Sequence, residues 1–183
     1  AEPGGEFTSV TYSNLYFREP ESRADQTRMM SIVTTAPETG YYVDVFRSRK
    51  EKGGDKMHDY FYHNLGQTLT LTAADGTDLN LQPTEELTFA GAHLYAYSYL
   101  YDKKVAATGK DVKATFTIDM KDKGGDDISM NLWMKGEPDR EVFTALSPMT
   151  EGLSRTPGMP YNIKEQPTLT FVARQHGEAW NRP

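Results

Sequence analysis

The chain has 183 residues, with 26 acidic and 20 basic side chains, a formal net charge of −6 and no cysteine. This charge argues against nucleic-acid binding, which needs a clustered excess of cations, and the lack of cysteine excludes disulfides, thiol nucleophiles and cysteine-ligated metals. An aromatic content of 11% predicts a folded chain, and no apolar run reaches the 18 or so residues of a membrane-spanning helix.

Apolar and polar residues alternate along much of the chain, whereas no window shows helical periodicity over three turns. In chain order, the predicted strands are residues 8–12, 26–35, 41–49, 57–63, 67–72, 94–101, 112–120, 128–134, 140–146 and 168–174. Glycine-, proline- and aspartate-rich turns separate them, at residues 52–55, 75–78, 108–110, 123–126 and 136–139. About ten short strands with hairpin turns predict an all-β fold, an antiparallel β-sandwich with little or no helix.

The chain is predicted to form a single domain, residues 1–183, because no linker-like composition divides it. One long irregular stretch, residues 147–166, contains several prolines and either covers the core or has a functional role. The first residues have no initiator methionine and no signal-peptide pattern. We therefore expect the chain to be either processed or a fragment of a larger protein.

The sequence contains no self-contained catalytic or metal motif. His58 and His63 are five residues apart, which places them on opposite faces of a strand, and neither His93 nor His176 has a ligand at workable spacing. The glycine patterns of phosphate and dinucleotide sites and the nucleophile elbow of hydrolases are also missing. We therefore predict no catalytic residue, no metal and no cofactor in this chain.

Aromatic side chains are the candidate carbohydrate-binding residues. If residues 94–101 form a strand, four tyrosines share one face of it. Residues 58, 60 and 62 form a shorter stripe of the same kind, and the tryptophan at position 133 points away from the apolar row of its strand. The candidates are Tyr95, Tyr97, Tyr99, Tyr101, His58, Tyr60, Tyr62 and Trp133. Such rows can stack the apolar faces of sugar rings and bond their hydroxyls. The alternative is that the tyrosines line the sheet interior, with rings buried and hydroxyls bonded to polar partners.

Three stretches in order resemble heparinase II/III-like polysaccharide lyases. Residues 28–33 and 41–47 resemble an arginine-bearing strand and the Y-V-V-D-V-F-R strand that follows it. Residues 53–63 are similar to a G-G-x-x-H-D-Y-x-x-H strand, and residues 167–183 resemble a strand near the end of that family. The resemblance implies the latter part of the C-terminal β-sandwich region of such a lyase.

The resemblance also implies a secreted or periplasmic parent protein with an α-helical toroid upstream of the sandwich. Such lyases cleave uronic-acid glycans by β-elimination, and their catalytic histidine and metal ligands lie upstream of the part matched here. No catalytic or metal role therefore carries over to any residue of this chain. We expect a non-catalytic module that acts as scaffold and contacts polysaccharide. The alternatives are a part of an active lyase and a free carbohydrate-binding module.

Overall fold

A computed structural model describes residues 4–20, 22–52, 54, 56–89, 91–121, 124–149 and 166–183, with the backbone alone at residues 92–94. Within these residues there is no α-helix, one 3₁₀ helix (Ala92–Tyr99) and twelve strands. The strands are β1 (Gly5–Glu6), β2 (Val10–Arg18), β3 (Asp25–Ala36), β4 (Thr39–Arg49), β5 (Met57–Asn64), β6 (Thr68–Ala73), β7 (Gln82–Pro83), β8 (Tyr101–Ala107), β9 (Val112–Ile118), β10 (Ile128–Met134), β11 (Glu141–Ser147) and β12 (Thr168–His176). The all-β prediction is confirmed.

The chain divides into two compact units, one formed by Ala1–His58 with Gln175–Pro183 and the other by Asp59–Arg174. The assignment of a single domain remains a prediction. The middle of the irregular stretch, residues 150–165, lies outside the described residues, and so do Gly53 and Asp55 of one predicted turn. Another predicted turn is present between β6 and β7, where Gly76 has a φ of 87° that favours glycine.

The first unit contains a four-stranded antiparallel sheet in the order β1-β2-β3-β4. The last residues of the chain lie along β4 in this unit. The Ser48 N–H donates to the Ala179 carbonyl at 3.0 Å, and Arg47 donates to the Trp180 carbonyl at 2.6 Å. The Arg49 guanidinium lies 4.3 Å from the centre of the Trp180 ring, a cation–π contact. The C-terminal segment is thus held by both backbone and side-chain contacts.

The second unit is the β-sandwich. A three-stranded sheet, β10-β9-β6, packs on a five-stranded sheet, β5-β12-β11-β8-β7, around a core that includes Phe116, Val142 and Phe171. Because side chains alternate across a strand, the neighbours Phe143 and Val172 point to the other face of the five-stranded sheet. They are also fully buried there. The five-stranded sheet therefore buries side chains on both faces.

The predicted strand at residues 94–101 is wrong, because Ala92–Tyr99 forms a 3₁₀ helix and β8 begins only at Tyr101. Gly91, with a φ of 127°, precedes the helix, and the N–H of Leu100 donates to the Tyr97 carbonyl at its end. The helix packs on a sheet face instead of extending it, with the Tyr97 ring against Phe61 of β5, and alternation in the sequence does not report such a contact. The four tyrosines consequently do not form one row.

Candidate functional site

An apolar pocket of about 440 Å³ lies beside the 3₁₀ helix in the sandwich unit. Its described lining residues are Phe61, His63, Ala96, Tyr97, Tyr99, Leu100, Ser147 and Pro148. Three of the eight are phenyl or phenol rings, and none is a lysine or an arginine. A small open pocket with aromatic walls and few polar groups is the usual form of a small-ligand site. This lining can cover the apolar face of a ligand but cannot neutralise an anion.

Tyr97 forms the inner wall of the pocket. Its ring meets Phe61 edge-on with centroids 5.2 Å apart, and its hydroxyl donates to Asp59 Oδ2 at 2.8 Å. Burial and the neighbouring Asp59 carboxylate raise the pKa of the Tyr97 phenol well above its usual value. The phenol therefore stays protonated and serves as a fixed hydrogen-bond donor rather than as a base.

A buried ion-pair network holds Asp59 behind this wall. Arg174 donates from Nε to Asp59 Oδ1 at 2.8 Å and from Nη2 to Oδ2 at 3.0 Å, while its Nη1 donates to Glu86 at 3.0 Å. The side chains of Asp59 and Arg174 are each 9% exposed. Hydrogen bonding to Asp59 raises the pKa of Arg174, so the cation persists. The bidentate geometry fixes the carboxylate, which in turn positions Tyr97.

Two polar lining residues, His63 and Ser147, are joined through the hydroxyl of Thr170, which lies behind the described lining. His63 Nδ1 lies 2.9 Å from the Thr170 hydroxyl, and that hydroxyl lies 2.6 Å from Ser147 Oγ. His63 as a residue is exposed, but partial desolvation of its imidazole lowers the pKa of His63, which favours the neutral form. The Phe61 and His63 rings lie stacked with their centroids 6.0 Å apart. The imidazole is therefore held at the pocket by a hydrogen bond and an aromatic neighbour.

The four tyrosines of the predicted row have different environments. Tyr97 is the partly buried wall residue, whereas Tyr95 and Tyr99 are exposed and meet edge-on with centroids 6.4 Å apart. Tyr101 is exposed at the start of β8. Only Tyr97 and Tyr99 line the pocket. Their carbohydrate-binding role remains a prediction.

The second predicted stripe lies mostly inside the sandwich. Tyr60 and Tyr62 pack against the main core, and the Tyr62 ring lies 5.6 Å from Phe116. His58 belongs to the first unit, where its Nδ1 lies 2.8 Å from the Ser48 hydroxyl. For Tyr60 and Tyr62, the geometry agrees with the alternative that tyrosines line the sheet interior.

The sequence analysis did not select several pocket residues. Phe61 and His63 lie on the other face of β5 from Tyr60 and Tyr62, and Pro148 lies in the predicted irregular stretch, directly after β11. Strand alternation does group Phe61 with His63, but nothing local indicates that the 3₁₀ helix covers them. Trp133, by contrast, is 62% exposed, as its predicted outward orientation requires.

Neither a metal centre nor a membrane helix is present in the described part of the chain. No group of three or more histidine, aspartate or glutamate side chains is placed to hold a metal ion there. None of the helical residues described forms a segment long and apolar enough to cross a membrane. The expectation of no bound metal and no cofactor remains a prediction.

Comparison with known proteins finds similarity to a lyase. No protein-family model matches the chain. An endo-acting ulvan lyase from Formosa agariphila is 32% identical over 176 residues, which cover 94% of this chain and 20% of the relative. The chain thus spans about a fifth of the length of that relative. Along nearly its whole length, the chain is similar to one segment of a polysaccharide lyase.

Proposed function

We propose that the chain is a non-catalytic β-sandwich module of a polysaccharide lyase, and that it contacts the glycan through the aromatic pocket beside the 3₁₀ helix. The observation that carries the proposal is the rigid wall formed by Phe61 and Tyr97 next to the exposed ring of Tyr99. Sugar rings have apolar C–H faces that pack on such rings. The similarity to an ulvan lyase supports an acidic polysaccharide such as ulvan as the ligand.

The same proposal covers the setting of the module. The resemblance to heparinase II/III-like lyases supports an α-helical domain upstream in the parent protein. A polysaccharide substrate also supports an extracellular or periplasmic location, because polymers of that size are degraded outside the cytoplasm. Within the parent protein, the sandwich then acts both as scaffold and as one surface along which the glycan lies.

The composition of the pocket supports binding rather than catalysis. β-Elimination next to a uronic acid needs a base and a group that neutralises the sugar carboxylate. His63 is the one titratable imidazole among the described lining residues, and no cation accompanies it. The net charge of −6 also opposes a polyanion, so we expect weak binding by the isolated chain.

Titration calorimetry with ulvan oligosaccharides tests the pocket. Tyr99→Ala removes an exposed ring from the pocket and is expected to weaken binding about tenfold, equivalent to about 1.4 kcal/mol. Tyr41→Ala is the matched control, because this tyrosine has a similar exposure (53% against 57% for Tyr99) and belongs to the four-stranded sheet. Equal affinities of wild type and Tyr99→Ala would refute the role of the pocket.

A second candidate function is that the module supplies one wall of a lyase cleft, and the observation favouring it is the hydrogen-bonded, neutral imidazole of His63 at the pocket. Ultraviolet absorbance of unsaturated uronic products distinguishes the two. We expect no such product from this chain on ulvan or heparan sulfate. An enzyme-dependent signal that disappears in His63→Ala would overturn the non-catalytic proposal.

A further inference from the structure

The outer face of the three-stranded sheet carries almost only hydroxyl and amide side chains. In the register of the sheet, the residues of this face lie opposite one another in three rows across β6, β9 and β10. The rows are Thr68/Thr117/Ser129, Thr70/Thr115/Asn131 and Thr72/Lys113/Trp133. We name these nine side chains the threonine face. Side chains directly opposite in adjacent strands lie about 4.5–5.5 Å apart at Cβ, so the nine form a continuous surface.

The charges of the threonine face differ from those of the chain as a whole. Lys113 is its single ionisable group, whereas the chain has a net charge of −6. Carboxylates lie around the face: Asp111 and Asp119 lie just beyond the two ends of β9, Asp78 forms an isolated bridge with Thr72, and Asp127 accepts from the Met120 N–H at 3.4 Å. Asp111 accepts from Lys135 and from the Gly136 N–H, both at 2.8 Å, and Asp119 accepts from the Lys121 N–H at 2.9 Å. Within its nine side chains, the face therefore offers an anionic ligand one cation and no carboxylate.

Hydrogen bonds within the face orient its polar groups. The Thr115 hydroxyl donates to Asn131 Oδ1 at 2.8 Å, so the two amide N–H groups of Asn131, which have no acceptor among the described residues, can donate to a ligand. The Thr117 and Ser129 hydroxyls lie 3.4 Å apart in the next row. Rows of hydroxyls and an amide can donate to and accept from successive sugar hydroxyls.

Trp133 provides the apolar platform of the face. It lies on β10 directly opposite Lys113 on β9, and 62% of its surface is exposed. Leu132, its neighbour in sequence, is buried in the core, so strand alternation fixes the outward direction of the indole. A flat ring beside a cation matches one sugar that has an apolar face and a negative group.

The geometry points to the threonine face as a second glycan-binding surface, which takes an acidic oligosaccharide with one ring on Trp133 and its anionic group at Lys113. A protein partner fits less well, because interface centres are apolar and this face has one large apolar side chain. Nucleic acid also fits less well, because a single cation cannot provide phosphate binding. The inference rests on the proposed function for the ligand class but uses residues separate from the aromatic pocket.

Titration calorimetry with ulvan oligosaccharides, on the same chain as above, tests the inference. We expect Trp133→Ala to weaken binding about tenfold and Lys113→Gln about threefold, with the Lys113→Gln effect disappearing at high salt. Ile128→Ala is the control, because this residue is also exposed on β10 (54%) but does not belong to the threonine face. Circular dichroism melting checks that each variant folds.

The outcomes separate this inference from the proposed function. Weaker binding in Trp133→Ala with unchanged binding in Tyr99→Ala supports the threonine face and refutes the pocket. Unchanged binding in Trp133→Ala with weaker binding in Tyr99→Ala refutes the threonine face alone. An equal loss in Ile128→Ala and Trp133→Ala also refutes it. If the wild-type chain does not bind the oligosaccharides, both proposals are refuted.

Discussion

The Asp59–Arg174 ion pair gives the sharpest test of how the aromatic pocket is supported. Asp59→Ala removes the acceptor of two Arg174 bonds, at 2.8 and 3.0 Å, and of the Tyr97 hydroxyl bond at 2.8 Å. Arg174 is 9% exposed and would keep its ion pair with Glu86, which is itself 46% exposed, and the weaker attraction of Glu141. Removing one partner of a buried pair costs about 3–5 kcal/mol, because the remaining charge is left desolvated.

Urea denaturation followed by far-ultraviolet circular dichroism measures this loss of unfolding free energy. With a denaturant slope of about 2 kcal/mol per molar, a loss of about 4 kcal/mol lowers the midpoint by roughly 2 M. The double variant Asp59→Ala/Arg174→Met should recover part of the stability, because it also removes the buried positive charge that Asp59→Ala leaves without its main partner. That recovery distinguishes a buried charge from a simple packing defect.

Lys110→Ala is the matched control for the ion pair. Lys110 lies 3.7 Å from Asp75 with both side chains more than half exposed, so its loss should cost well under 1 kcal/mol. If Asp59→Ala costs no more than Lys110→Ala, the network does not hold the pocket wall and the reasoning is refuted. A double variant less stable than Asp59→Ala would also contradict it.

Three further predictions concern stability, pH and metal. Tyr97→Ala should cost about 3 kcal/mol and lower the melting temperature by roughly 6–12 °C, measured by calorimetry; an unchanged melting temperature would contradict a structural role for this ring. Because burial lowers the pKa of His63 in the folded state, the unfolded chain takes up the proton first, and stability falls as pH drops through about 6.5. His63→Gln should therefore lose less melting temperature than wild type between pH 7.5 and 5.5, and an equal loss would count against it. The dialysed protein should contain no stoichiometric zinc by atomic absorption, and one equivalent would overturn this.

Strand alternation in the sequence determined most of the all-β fold. Nine of the ten predicted strands share most of their residues with strands of the structure, because a period of two places one row of side chains in the core whatever the topology. The orientation of Trp133 followed in the same way, since Leu132 and Trp133 must face opposite sides of β10. In these strands, the alternation of apolar and polar residues in the sequence matches the side chains that the fold buries and exposes.

Tertiary structure alone decided the aromatic pocket. Tyr95, Tyr97 and Tyr99 alternate as a strand would, yet this segment forms a 3₁₀ helix and Tyr97 packs on Phe61. The partner that fixes Tyr97 is Asp59, which is 38 residues away, and Asp59 is held by Arg174, a further 115 residues along from it. Sequence periodicity describes only which face of an element is apolar. Which buried charges meet, and which segment covers them, depends on contacts between distant parts of the chain.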